Sequence, residues 1–174
     1  MPDGVTRRAG FAGPAGYVEM RSAHDNATDL TADVAVQSGI AAGQLLGGVG
    51  WPEASSAASN AAELSSDPLL QSALAMGALE GDLGVRDMAR VLRDSERLPG
   101  GDAVRAAAIA GALAGDRDLG AMRSVVDDAL ALSSEEPVQA AVTYAALRAD
   151  RYWGDVRRAV STAEELTTDP AMRA

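Results

Sequence analysis

The chain carries 25 acidic side chains against 15 arginines and no lysine in 174 residues, a formal net charge of −10. That charge argues against nucleic acid as a main partner, because binding phosphates takes a cationic patch that releases counterions. Zero cysteines remove disulfides, thiolate catalysis and zinc–thiolate sites, while 37 alanines beside six aromatic residues lean the chain towards helix.

The N-terminal stretch MPDGVTRRAGFAGPAGY has two arginines but no apolar run of signal-peptide length behind them. The most apolar stretch elsewhere, Ala103 to Gly115, is interrupted by Arg105 and falls short of the roughly 20 residues that a membrane span needs. These features predict a cytoplasmic protein with no membrane partner. Glycines 4, 10, 13 and 16 and Pro14 disfavour a first helix, whereas Tyr17, Met20, Ala23, Ala27 and Leu30 have the spacing of a second. Residues 1–30 read as a degenerate first unit.

From residue 31 onwards the chain repeats itself. Segments 31–64, 65–98, 99–132 and 133–166 align without a gap and each ends in leucine, and residues 167–174 read as the start of a further unit or a C-terminal cap. A column of Leu45, Leu79, Leu113 and Leu147 runs through the middle of the units, with Phe11 in the same phase. Two residues later come Gly13, Gly47, Gly81, Gly115 and then Ala149, followed by Gly48, Asp82, Asp116 and Asp150. A Gly-Asp pair after an apolar helix is a stop signal, with the glycine expected in the left-handed conformation. Asp67-Pro68, Glu136-Pro137 and Asp169-Pro170 mark helix starts at the unit boundaries, and Asp33 and Asp102 lie at or beside that phase.

Each unit therefore reads as helix A, a short turn and helix B. Helix A is apolar nearly all round in LLQSALAMGAL and AVRAAAIAGALA, which predicts an inner layer. Its small columns, Gly43, Gly77, Gly111, Ala145 and Gly39, Ala73, Ala107, Ala141, permit close approach of neighbouring helices. Helix B has one apolar stripe, such as Val85, Met88, Val91, Leu92, Ser95 and Leu98, and a charged outer face. The expected fold is all-α, an α-solenoid of 34-residue helix-turn-helix units, four of them full, each burying its apolar face on the next.

A 34-residue helix-turn-helix unit with a Gly-Asp turn and an Asp-Pro boundary resembles the tetratricopeptide-like helical repeats over about residues 31–170. The resemblance implies a right-handed superhelix whose concave surface binds peptides or other proteins.

One polar column runs through helix A: Gln37, Gln71, Arg105, Gln139 and Arg173. On a concave wall, amides and guanidinium groups at regular spacing are able to hold an extended backbone; the competing reading is the wet edge that every amphipathic helix has. The carboxylate pairs Asp127-Asp128 and Glu164-Glu165 point about 100° apart on a helix and do not converge on a metal, and Glu135-Glu136 reads as a cap. His24, the single imidazole, sits in the phase of Leu92, Val126 and Val160 and reads as core edge or end cap. Trp51 and Trp153 start the B stripe and read as interhelix packing. The glycine-rich GQLLGGVGW stretch lacks the strand and the spacing of a nucleotide loop.

No catalytic, metal or cofactor site follows from these residues, so the expected function is a non-enzymatic interaction module or scaffold for a protein or peptide. The alternative is self-assembly, in which the incomplete units at the two ends dock head-to-tail into rings or filaments through Tyr17, Met20, Val156, Val160 and Met172. An enzyme needing a partner or cofactor is the third reading.

Overall fold

In the computed structural model the described residues are 16–149 and 153–173, all-helical and without a strand; the features expected at Phe11, Gly13, Pro14 and Asp150 lie outside them. The first helix, α1, spans Tyr17–Leu30. It is followed by α2 (Val34–Gly47), α3 (Trp51–Leu64), α4 (Pro68–Gly81) and α5 (Val85–Ser95). Then come α6 (Asp102–Gly115), α7 (Leu119–Leu132), α8 (Glu136–Ala149), α9 (Trp153–Leu166) and the short α10 (Pro170–Arg173). The even-numbered helices begin at residues 34, 68, 102, 136 and 170, and the odd-numbered ones at 17, 51, 85, 119 and 153, so both series advance by 34.

Helix starts follow local chemistry. Asp33 Oδ1 accepts hydrogen bonds from the Ala35 and Val36 amides at 2.9 and 3.2 Å, and Asp67 Oδ1 accepts from Leu69 at 2.8 Å in front of Pro68. The even helices then pack directly on one another, α2 on α4, α4 on α6 and α6 on α8, forming the inner layer. Ile40, Leu74, Ile109, Leu113 and Leu147 of that layer are fully buried, and Met88, Val91, Met122 and Val126 bring the odd helices onto it. α3, α5 and α7 each lie more extensively on the even helix that follows than on the one before, whereas α9 touches α8 and α10 equally.

The left-handed residue at the end of α2, α4 and α6 differs from the expectation. It is Gly48, Asp82 or Asp116, with φ of 62°, 54° and 51°, while Gly47, Gly81 and Gly115 are the last helical residues. Aspartate tolerates this conformation better than most side chains, which frees the preceding glycine for a different task. A Cβ on Gly47, Gly81 or Gly115 would overlap the carbonyl oxygen of Leu79, Leu113 or Leu147 on the next inner helix. One turn earlier, a Cβ on Gly43, Gly77 or Gly111 would lie 2.9, 2.8 and 2.9 Å from the Cβ of those same leucines. The glycines are there because backbone meets side chain and carbonyl with no room for a methyl group.

The outer stripe is buried at its centre and open at its start. Tyr17, Trp51 and Val85, the first residues of α1, α3 and α5, are 73%, 43% and 42% exposed, whereas Leu119 and Trp153 in the same position are half-buried; of the two tryptophans, only Trp153 joins a core cluster. His24, expected at a core edge, is exposed.

These contacts set opposite expectations for adjacent positions. Gly81→Ala should destabilise the fold by about 1–3 kcal/mol despite alanine's better helix propensity. Asp82→Gly, which relieves a left-handed non-glycine residue, should be neutral or stabilise by up to about 1 kcal/mol. Urea denaturation followed by circular dichroism reads both, and the reverse order would restore the glycine to the turn.

Candidate functional site

The polar column of the inner helices was the first candidate for a binding ladder, and its amides are turned onto the chain's own backbone. Gln37 Nε2 donates to Thr31 O at 2.8 Å, Gln71 Nε2 to Ser65 O at 2.6 Å and Gln139 Nε2 to Ser133 O at 2.6 Å. Each acceptor is the residue that ends the preceding outer helix, where its own N–H bonds back to Ala27, Ala61 or Ala129. The same Ser or Thr accepts at its hydroxyl the N–H of Asp33, Asp67 or Glu135, two residues on. A side-chain hydroxyl, a capping carboxylate and a glutamine thus clamp one tight corner. The Ser/Thr column was legible as a repeat at 31, 65, 133 and 167, but its role becomes visible only with the hydrogen bonds.

The third corner is built from different residues. Pro99 occupies the Ser/Thr position and has no N–H to close the last α-turn; α5 ends early, and Glu96, Arg97 and Leu98 donate instead to carbonyls three residues back. Gly101 replaces the capping acid, and Glu136 from the next inner helix accepts from the Ala103 amide at 3.2 Å. Arg105, in the glutamine's place, donates from Nε to the buried Ser95 hydroxyl at 3.0 Å and pairs with Glu96 at 3.9 Å. Arg173, the last member of the column, has its side chain outside the described residues.

A second polar group sits among the inner helices. The Tyr144 hydroxyl donates to Glu80 Oε2 at 2.6 Å, and Arg148 Nε donates to Glu80 Oε1. Glu80 belongs to α4 and its partners to α8, so the contact reaches over α6. Small residues make it possible: Ala110 and Ala114 stand at the intervening positions of α6. The Glu80 side chain is only 7% exposed, and each of its two oxygens has a partner, which offsets the cost of burying so polar a group. Burial, and then the hydrogen bond to Glu80, hold the Tyr144 phenol above its ordinary range. The hydrogen bond to Glu80 likewise raises the Arg148 guanidinium. All three residues are spent on one another, so the triad fastens α4 to α8.

The residues expected at the ends divide. Tyr17 and Met20 at one end and Met172 at the other are exposed, at 73%, 48% and 75%. Val156 is half-buried, and Val160 is not an end contact: it is buried in a cluster with Ala129, Val138 and Val142. The reason is that α9 turns this face towards α7 and α8. Among the described residues no group of three or more His, Asp or Glu side chains is placed to hold a metal, and no helix is long and apolar enough to cross a membrane. Compared with known proteins, the chain matches no family model, no curated protein and no solved structure.

Two measurements follow from this geometry. Gln71→Ala should lower stability by about 1 kcal/mol, the net worth of one hydrogen bond, in urea denaturation; no change would leave the column available as a ladder. For Tyr144, whose folded state holds the proton more tightly than the unfolded chain, the stabilisation is present at neutral pH and lost as pH rises above about 10. Tyr144→Phe should therefore cost about 1 kcal/mol at pH 7 and flatten the alkaline fall in stability.

Proposed function

We propose that the chain is a non-enzymatic helical repeat protein, a tetratricopeptide-like α-solenoid that serves as a protein-interaction module or scaffold. The observation that carries this reading is the recurrence of one helix pair every 34 residues, each inner helix seated on the next through glycine. An array built this way offers long side walls of repeated composition, which suits contact with an extended partner. Glu80, Tyr144 and Arg148 are consumed in holding α4 to α8, so this polar cluster serves the scaffold.

The self-assembly reading draws support from exposed apolar side chains at both ends, Tyr17, Val18 and Val34 at one and Leu166 and Met172 at the other. Against simple continuation stand Ala145 and Ala149. They occupy the positions of the close-contact glycines, so another inner helix meets a methyl group where the internal ones meet none.

Photo-crosslinking residues introduced singly on the inner, outer and loop faces of the tagged chain, in the cells that make it, test the module. Crosslinks to one protein from one face are the expected result. No protein from any face, with a reaction catalysed by the purified chain, overturns it. Light scattering across concentration addresses the alternative: a monomer throughout is expected, and filaments or rings would replace the first reading.

A further inference from the structure

Two open clefts recur at equivalent positions one repeat apart. The first, about 240 Å³, lies between α1 and the end of α2 and is lined by Glu19, Ser22, Asn26 and Gln44, with Val18 and Val49. The second, about 370 Å³, lies between α3 and the end of α4 and is lined by Glu53, Ser56, Asn60 and Asp82, with Pro52 and Leu83. Glutamate, serine and asparagine stand at the same spacing in both, and no described lining residue is basic. Gln44 is 4% exposed and its Oε1 has no hydrogen-bond partner among the described residues. An unpaired acceptor at that depth costs free energy unless a donor arrives.

The third repeat shows what such a cleft accepts. There Arg90 stands in the position of Ser22 and Ser56, and its guanidinium lies among the counterparts of the residues that line the second cleft. It lies 3.6 Å from Asp87 and 3.8 Å from Asp94, which stand where Glu53 and Asn60 do one repeat earlier. It also lies 3.9 Å from Asp116 and donates to Arg117 O at 3.3 Å, the equivalents of Asp82 and Leu83. Every polar contact of Arg90 thus has a counterpart lining the second cleft.

We propose that the first two clefts are receptor sites for arginine side chains of a partner protein, each taking the guanidinium that Arg90 supplies from within in the third repeat. This deepens the interaction-module reading and rests on it. A planar guanidinium with five donors matches a ring of carboxylate, amide and carbonyl acceptors better than a lysine ammonium does. Packed helices lie 8–10 Å apart, and one turn of polyproline II advances about 9 Å in three residues. A partner strand with arginines three residues apart therefore presents one to each cleft.

The probe is the peptide acetyl-Gly-Arg-Pro-Pro-Arg-Gly-amide, with lysine and single-arginine counterparts, titrated calorimetrically into the full chain at physiological salt. The arginine pair is expected to bind about tenfold tighter than either counterpart, the worth of a charge-assisted bond. Ser56→Arg, which plugs the second cleft as Arg90 plugs the third, should weaken binding about tenfold while leaving thermal stability equal or higher. Glu53→Gln with Asp82→Asn should weaken it similarly, and covers the case in which the plugged variant misfolds. Arg90→Ser should lower Tm, and millimolar ethylguanidinium should restore it better than ethylammonium.

Equal affinity for the arginine and lysine peptides, or full binding by a folded Ser56→Arg variant, overturns the proposal. Free arginine or a polyamine bound as tightly as the peptide overturns the choice of a protein partner, and self-association weakened by Ser56→Arg reassigns the arginine to a second copy. Crosslinks to a protein from another face, with no peptide binding, sink this inference and leave the module standing.

Discussion

The structure depends on one contact: an inner helix laid so closely on the next that Gly43 and Gly47, or their equivalents, face Leu79 and its carbonyl without a side chain between. Such proximity gives dispersion contacts along both backbones and fixes the angle at which successive helices meet, since no rotamer is free to absorb an error. The price is paid at the turn, where an aspartate rather than a glycine takes the left-handed residue in two of the three described cases. Glycine is thus used where a Cβ has no room, and backbone strain falls on a side chain that tolerates it.

Around that contact the corners are redundant, which explains how the third tolerates so much change. Pro99, Gly101 and Arg105 replace the hydroxyl, the acid and the amide together, and each loss has a local answer: a tighter last turn, Glu136 from the next helix, and Ser95 with Glu96 as the new acceptors. Gly101 also matters for space, because a Cβ there would overlap the Glu136 carboxylate that supplies the replacement cap. The substitutions form a set, and reverting one alone would break it.

Much of the fold was legible in the sequence. Asp33 and Asp67 capped the helices they preceded, the alanine- and glycine-rich helices formed the inner layer, and the stripe through Met88, Val91, Met122 and Val126 was buried, because periodicity and capping are local rules. The glycine before the turn was misread, since sequence records that a Cβ is missing but not whether torsion or space forbids it. The glutamine column was legible as polar and regular, but a ladder facing a partner and a clamp facing a corner have the same spacing. Glu80, Tyr144 and Arg148 were invisible for another reason: 64 residues separate the acid from the phenol, and no repeat predicts a contact that skips a unit.

Departures from the repeat carry more information than the repeat itself. Where three units agree, the residue serves packing and any one copy explains the others. Where one unit differs, the structure shows a compensation inside the chain, as Arg90 shows by pairing with Asp87 and Asp94 at the position where Ser22 and Ser56 border open clefts. Tyr144 and Arg148 stand where the inner helix before them has Ala110 and Ala114, and through them the fourth unit reaches back across its neighbour. The same unit carries Ala145 and Ala149 in place of the contact glycines, and both alanines are exposed. The next inner helix, α10, still packs on α8, so the fourth unit stands apart by gaining residues that bind it to the array behind it rather than by losing the helix ahead.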